Sequence, residues 1–486
     1  MKKLVILLGI VLVLVAGAFA GMRYMDQTYI TLGDERLRRD VEELDLSGQP
    51  LPDLEILPQL KQLRLLDLRG TGLMPEQYEQ LAAAMPECEI LWLVPFQDQW
   101  LETDIRELTV DSISEEDMAM LGYFPQLETI DANACTDLDA VMALQAAVPQ
   151  CRVEYTVPMG IMQLDQDCMM LDLRDADASQ LAAAIPYLPK LQSVRCTGRA
   201  PDGDAMAALA EAYPQVDFEW SFDFFGNAVT SNTEEVELNG VVLESLEELE
   251  QKLGWFNGLK KLVILGSSLP SEELDALWKR HPETRIVWDV TVGRIVLRTD
   301  ETTFMPYKHG YTGADSSTRL YDRDCAELKY MVDIICMDIG HMWINDISFV
   351  AYMPNMEYFL CCGNGIDDIS PLAGLQKLKY VELFSNPFTD VSALATCPVL
   401  EDINLSYIHI PDVQPLLELK SVKNLWLSAS YLTEEQKQQV SDAHPDVNIV
   451  FHQMRSTGFG WRELPNYFAQ RDLLGMHYMV TEMYKN

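Results

Sequence analysis

DISFV (346–350), DISPL (368–372), DVSAL (390–394) and DVQPL (412–416) each begin 22 residues after the one before. A constant interval of this size belongs to a chain that stacks one supersecondary unit on the next. The apolar ladder around the strings keeps the same interval. One coil reads Leu375, Leu378, Val381, Leu383, Asn386, Phe388, Val391, Leu394, and the next Cys397, Leu400, Ile403, Leu405, Ile408, Ile410, Val413, Leu416. Pairs two apart, such as Val381/Leu383 and Ile403/Leu405, predict a short strand with one buried face. Asn386 falls at the turn after the strand, where a side-chain amide can satisfy buried backbone groups. The aspartates of the four strings are read as turn formers.

Upstream the repeat lengthens. PECEILW (86–92), PQCRVEY (149–155), PQVDFEW (214–220) and PETRIVW (282–288) start 63, 65 and 68 residues apart, and PDVNIVF (445–451) has the same form. A helical run precedes each, as in DLDAVMALQAAV or TEEQKQQVSDAH, the last with Thr433 and Gln436 in capping-box positions. Three period-two pairs lie in each long unit. They predict, together with the shorter coils, about eighteen strands in a single parallel ladder, with helices on the convex side of the first part.

The expected fold class is therefore α/β: a solenoid with a parallel sheet on its concave face. Its expected divisions are a signal peptide or membrane anchor (1–25), long units (26–292), an insertion or hinge (293–325), 22-residue repeats with a closing long unit (326–453) and a C-terminal cap (454–486). The polar, turn-rich stretch 293–325 breaks the period. The aromatic, aperiodic tail is expected to cover the last coil, because an open solenoid end leaves its core wet.

With 36 Lys+Arg against 75 Asp+Glu the formal net charge is −39. So acidic a surface repels phosphate backbones and argues against nucleic acid as a partner. The N-terminus, Met1-Lys2-Lys3 and an apolar run from Leu4 to Met22, has the form of an export signal or anchor, with Ala18-Phe19-Ala20 as a small-x-small cleavage motif. The remaining chain is then exported, at the cell surface, and touches the membrane only through this segment. Ten cysteines in such a compartment leave disulfides open. Several, Cys361 among them, nevertheless occupy aliphatic repeat positions and read as core thiols.

The L-x-x-L-x-x-L-x-L-x-x-N-x-I-x-D-I-S-x-L pattern of residues 326–430 resembles the bacterial leucine-rich repeats of the internalin type, with Met342 and Ile408 in place of the Asn. The resemblance implies a curved parallel-sheet solenoid whose concave face binds other macromolecules. Residues alternating with the buried pairs form three columns on that face. The first runs Cys336, Tyr358, Tyr380, Asp402, Asn424; the second Asp338, Leu360, Glu382, Asn404, Trp426; the third Gly340, Cys362, Phe384, Ser406, Ser428. An exposed aromatic patch of Tyr358, Leu360, Tyr380, Phe384 and Trp426, bordered by Glu382, Asp402, Asn404 and Asn424, is the expected ligand site. A tail or insertion folded over the patch is the alternative.

A protein ligand is expected, with a glycan as the second choice. A different reading makes the chain an envelope scaffold that assembles with membrane proteins through its N-terminal helical face. Nothing points to catalysis, a cofactor or a metal. The seven histidines show no His-x-x-x-His spacing, and no phosphate loop or nucleophile elbow is present. An enzyme site in the insertion would rest on Tyr307, His309 and Tyr311 alone.

Overall fold

The computed structural model describes residues 12, 14–16, 18, 28–175, 177–199, 202–243 and 245–476. Most of the apolar run at 4–22 lies outside them, as does Ala20. Among the described residues no helix is long and apolar enough to cross a membrane. The chain divides into two compact units, 1–195 with 213–217, and 196–212 with 218–486.

In the first unit Glu43–Asp45, Leu65–Asp67 and Glu89–Leu91 form one parallel sheet, and Glu107–Thr109, Thr129–Asp131 and Arg152–Glu154 a second. In the second unit Glu235–Asn239, Lys261–Leu265 and Arg285–Val292 are parallel. All eighteen expected strands are present, but they do not form one ladder. An antiparallel two-residue hairpin follows the last strand of a long unit. Leu93–Phe96 pairs with Gln99–Glu102, Thr156–Met159 with Met162–Asp165, and the last part of Arg285–Val292 with Ile295–Arg298. Hairpin tips at Gly33, Gln97, Gly160, Phe225 and Gly293 all have positive φ, as a right-twisted two-residue turn requires.

In three of the hairpins the residue just after the return strand supplies a buried acceptor. The backbone N–H of Tyr155 donates to Gln166 Oε1 (2.9 Å), that of Trp220 to Ser231 Oγ (3.2 Å) and that of Trp288 to Thr299 Oγ1 (3.1 Å). Trp92, Trp220 and Trp288 are buried, as expected of core residues.

The expected helices occur at Pro75–Ala84, Leu138–Ala147, Gly203–Ala212, Ser271–Arg280 and Glu434–Ala443. Thr433 and Gln436 close a reciprocal capping box (3.0 and 3.2 Å).

The second unit carries a seven-stranded parallel sheet: β1 (Thr303–Phe304), β2 (Cys336–Asp338), β3 (Tyr358–Leu360), β4 (Tyr380–Glu382), β5 (Asp402–Asn404), β6 (Asn424–Trp426) and β7 (Asn448–Val450). From β2 to β6 each residue pairs with the one 22 further on. The stretch 293–325, expected as an insertion or hinge, contains the hairpin strand Ile295–Arg298 and β1 itself.

Two polar ladders hold the coils. Asn386 Nδ2 donates to the carbonyls of Cys361 (3.0 Å) and Leu383 (2.8 Å), while its Oδ1 accepts from the N–H groups of Asn364 (3.2 Å) and Ile366 (3.3 Å). Asn364 repeats the arrangement one coil earlier. On the other side Asp346, Asp368, Asp390 and Asp412 accept from the backbone N–H two residues on, at 2.7 to 2.9 Å. They are Asx-type turn formers, as their sequence position suggests. The same position of every coil is left-handed, at His341, Gly363, Ser385, Tyr407 and Ala429. At Gly363 a Cβ would come within 2.2 Å of the His341 ring, so a side chain there would have to displace that ring.

Replacing Asn386 by Leu leaves the N–H groups of Asn364 and Ile366 and the Leu383 carbonyl without their partner, while the Cys361 carbonyl keeps Asn364 Nδ2. The expected loss is about 2–4 kcal/mol, read as a lower urea midpoint. Ile408, at the equivalent position one coil on, already does without the amide, and Ile408→Val should cost only about 1 kcal/mol.

Candidate functional site: the concave face and the segment lying on it

The parallel register brings all nine expected site residues onto one face. Their exposure differs from expectation. Tyr380, Asn404 and Trp426 are fully buried, Tyr358, Leu360, Glu382, Phe384 and Asp402 nearly so, and Asn424 half-buried. The aromatic patch is therefore not open to solvent. Residues 454–476 cover it, where the tail had been expected on the last coil.

The covering segment is anchored by Trp461, itself fully buried. Its ring centroid lies 5.2 Å from that of Tyr380 and 5.1 Å from that of Trp426. Its indole N–H donates to Glu382 Oε1 (2.8 Å), and the Tyr380 hydroxyl donates to the same oxygen. Gly460 enters the turn at φ +85°, a conformation glycine adopts without strain. Pro465 then starts the helix Pro465–Leu473 at its first turn, where a missing N–H costs nothing. Tyr467, Gln470 and Leu474, spaced three and four apart, form its buried stripe. Asn466 Nδ2 donates to Asp402 Oδ2 (3.0 Å), whose other oxygen accepts from Asn424 (2.7 Å).

Three contacts read the main chain of the segment. Asn404 Nδ2 donates to the Ser456 carbonyl (2.8 Å), Trp426 Nε1 to the Gly458 carbonyl (3.0 Å) and Cys336 Sγ to the Gln470 carbonyl (3.9 Å). Side chains from three strands thus grip a polypeptide backbone.

Burial raises the carboxyls of Glu382, Asp402 and Asp338 above the usual range. For Glu382 the donors Tyr380 and Trp461 work against that rise, and for Asp402 the donors Asn424 and Asn466. Burial also pushes the Cys361 and Cys362 thiols well up. Among the described residues no cysteine pair forms a disulfide, and eight of the ten cysteines are buried.

Of the residues weighed for catalysis in 293–325, Tyr311 is buried and its hydroxyl accepts from the Arg294 N–H (2.7 Å), while Tyr307 and His309 are exposed. Among the described residues no group of three His, Cys, Asp or Glu side chains is placed to hold a metal. Sequence reasoning missed Trp461, Asn466, Tyr467, Gln470 and Arg471 as parts of this face. The string GFGWRELPNYFAQ carried the signal in its paired glycines, its aromatics and a proline opening an amphipathic helix.

No protein-family model matches the chain, and no curated protein does. Among solved structures it is similar to an internalin, InlF, of Listeria monocytogenes (14% identity, 87% of each chain covered, TM-score 0.24). Internalin C2 of the same organism is 16% identical over 54% of this chain and 82% of its own (TM-score 0.21). A leucine-rich-repeat protein of Leptospira interrogans is 15% identical over 85% and 96% (TM-score 0.23). Scores this low support no transfer of function. The leucine-rich-repeat solenoid is defined here by the 22-residue register and the Asn ladder.

Replacing Trp461 by Ala removes the central ring and leaves Glu382 short of a donor; a loss of about 3–5 kcal/mol in segment docking is expected. Limited proteolysis should then cut within 454–476, sites protected in the parent. Docking should also depend on pH. A carboxyl whose folded pKa is raised stabilises fully below its ordinary value, near 4.5 for Glu382, and loses that contribution as pH rises through the raised value. Asp402 and Asp338 act in the same direction. Cleavage in the segment should therefore speed up with rising pH, and Glu382→Gln should flatten that dependence.

Proposed function

We propose that the protein is a non-enzymatic, extracytoplasmic repeat protein whose concave face binds a polypeptide partner at the bacterial cell surface. The observation that carries this reading is the grip on a polypeptide already present there: Asn404 and Trp426 donate to main-chain carbonyls of residues 454–476. Such contacts suit a peptide better than a glycan, which has no carbonyl ladder to read. The export half of the reading rests on the charged start and apolar run at 1–22. A partner engages the same columns, Tyr358 to Asn424, by displacing the chain's own segment.

The test keeps the full chain. In the Trp461→Ala protein the segment is weakened, and a labelled synthetic peptide of residues 454–476 with its tryptophan intact should bind in trans, with a Kd of about 10 µM. Adding Tyr380→Ala and Trp426→Ala should abolish that binding while the circular dichroism spectrum is kept. No peptide binding to the Trp461→Ala chain, or equal binding after both further substitutions, would remove the basis for a polypeptide groove.

A further inference from the structure

A cavity of about 540 Å³ lies in the second unit, between the concave face, residues 305–312 and the docked segment. That is within the range of small-molecule sites, ~300–1,000 Å³. Two carboxyls, Asp338 and Glu382, line it from the sheet, and Arg471 from the C-terminal helix. The opposite charges do not meet. Each carboxyl feels Arg471 only through space, with no hydrogen bond between them. Among the described residues Asp338 accepts from the Gly340 N–H alone (3.1 Å).

The guanidinium is no better served. It lies 5.2 Å from the centroid of the Tyr467 ring and is in hydrogen-bond contact with that residue, and one of its N–H groups points at the Met476 thioether (2.9 Å), a weak acceptor; among the described residues its buried Nε has no hydrogen-bond partner. The neighbouring Gln470 is fully buried, and neither end of its side-chain amide has a partner. Orphan buried polar atoms are rare in folded proteins, and of the two residues Arg471 lines the cavity, where a water or a ligand can reach it. Arg462 and His341 also line the cavity; Arg462 Nε is held by Thr457 Oγ1 (2.9 Å).

We propose that this cavity binds a zwitterionic small molecule of the amino-acid or dipeptide class, its ammonium between Asp338 and Glu382 and its carboxylate on Arg471. The charges of the site select this class. A simple anion would bond Arg471 and leave Asp338 without a further donor, and a simple cation would bond Asp338 and leave the buried Arg471 Nε without an acceptor. A molecule carrying both charges relieves both ends at once. Because Arg471 belongs to the covering segment, a bound zwitterion ties that segment to the face. The proposal thus rests on the docking described above and adds a regulator to it: the ligand makes the concave face harder to open.

The experiment is calorimetric titration and thermal unfolding of the full-length protein with each of the twenty protein amino acids and glycylglycine, beside acetate and ethylamine. At least one zwitterion should bind one to one and raise the Tm, with acetate and ethylamine at least tenfold weaker. Asp338→Asn and Arg471→Gln, each checked by circular dichroism, should each weaken that binding tenfold or more. The ligand should also slow proteolysis of residues 454–476. Trp461→Ala separates the two readings. If it frees the segment and abolishes ligand binding, the site stands; if it frees the segment and binding persists, the cavity is not the site. Absence of binding by every zwitterion at millimolar concentration overturns the proposal and leaves the polypeptide groove untouched.

Discussion

The parallel register of β2 to β6 is the constraint on which the rest depends. Pairing every residue with the one 22 further on stacks like positions into columns. Inward, the columns are aliphatic and closed by Asn364 and Asn386. On the concave side the same arithmetic stacks Tyr358 on Tyr380 and places Trp426 in the column that holds Leu360 and Glu382. A face built this way presents contiguous apolar surface that water covers poorly. It therefore requires an occupant, and residues 454–476 provide one. The occupant matches the face in chemistry as well as shape. Its one tryptophan N–H meets the one glutamate of the second column, and its Asn466 meets Asp402.

The solenoid was legible in the sequence because its signal is periodic. Every expected strand and long-unit helix occurs, and the roles of Asn386 and the four aspartates follow from position alone. What the period could not reveal is what lies outside it. Alternation assigns Tyr380 to the concave side of the sheet; it carries no information on whether another segment covers that side. The segment is aperiodic and distant in sequence from its contacts, Trp461 lying 79 residues from Glu382. Local pattern has no access to a contact of that separation. The hairpins are a different case. Their tips, Gly33, Gln97, Gly160, Phe225 and Gly293, recur with the long unit, and in all but the Gln97-Asp98 loop a glycine within the two-residue loop is a readable hairpin signal. They interrupt the ladder because the return strand pairs antiparallel with the edge that a further parallel strand would need.

Covalent attachment decides how the face can be used. Only Phe451 to Gln453 separate β7 from the covering segment, so the segment competes with any partner at the millimolar effective concentration of a short tether. A free polypeptide making the same contacts would lose to it at ordinary concentrations. A partner must therefore make more contacts than the segment, or act when the segment is weakened. The carboxyls at the interface supply such a condition, because Glu382 and Asp402 hold their donors least expensively when protonated. Asn424, half-buried at the margin of the covered area, together with the exposed edge of β7 at Asn448, offers a place for a partner to begin before the segment has left. Displacement from that end would free Trp426 before Tyr380 and Glu382, so the buried carboxyl and its tryptophan would be the last contact to break.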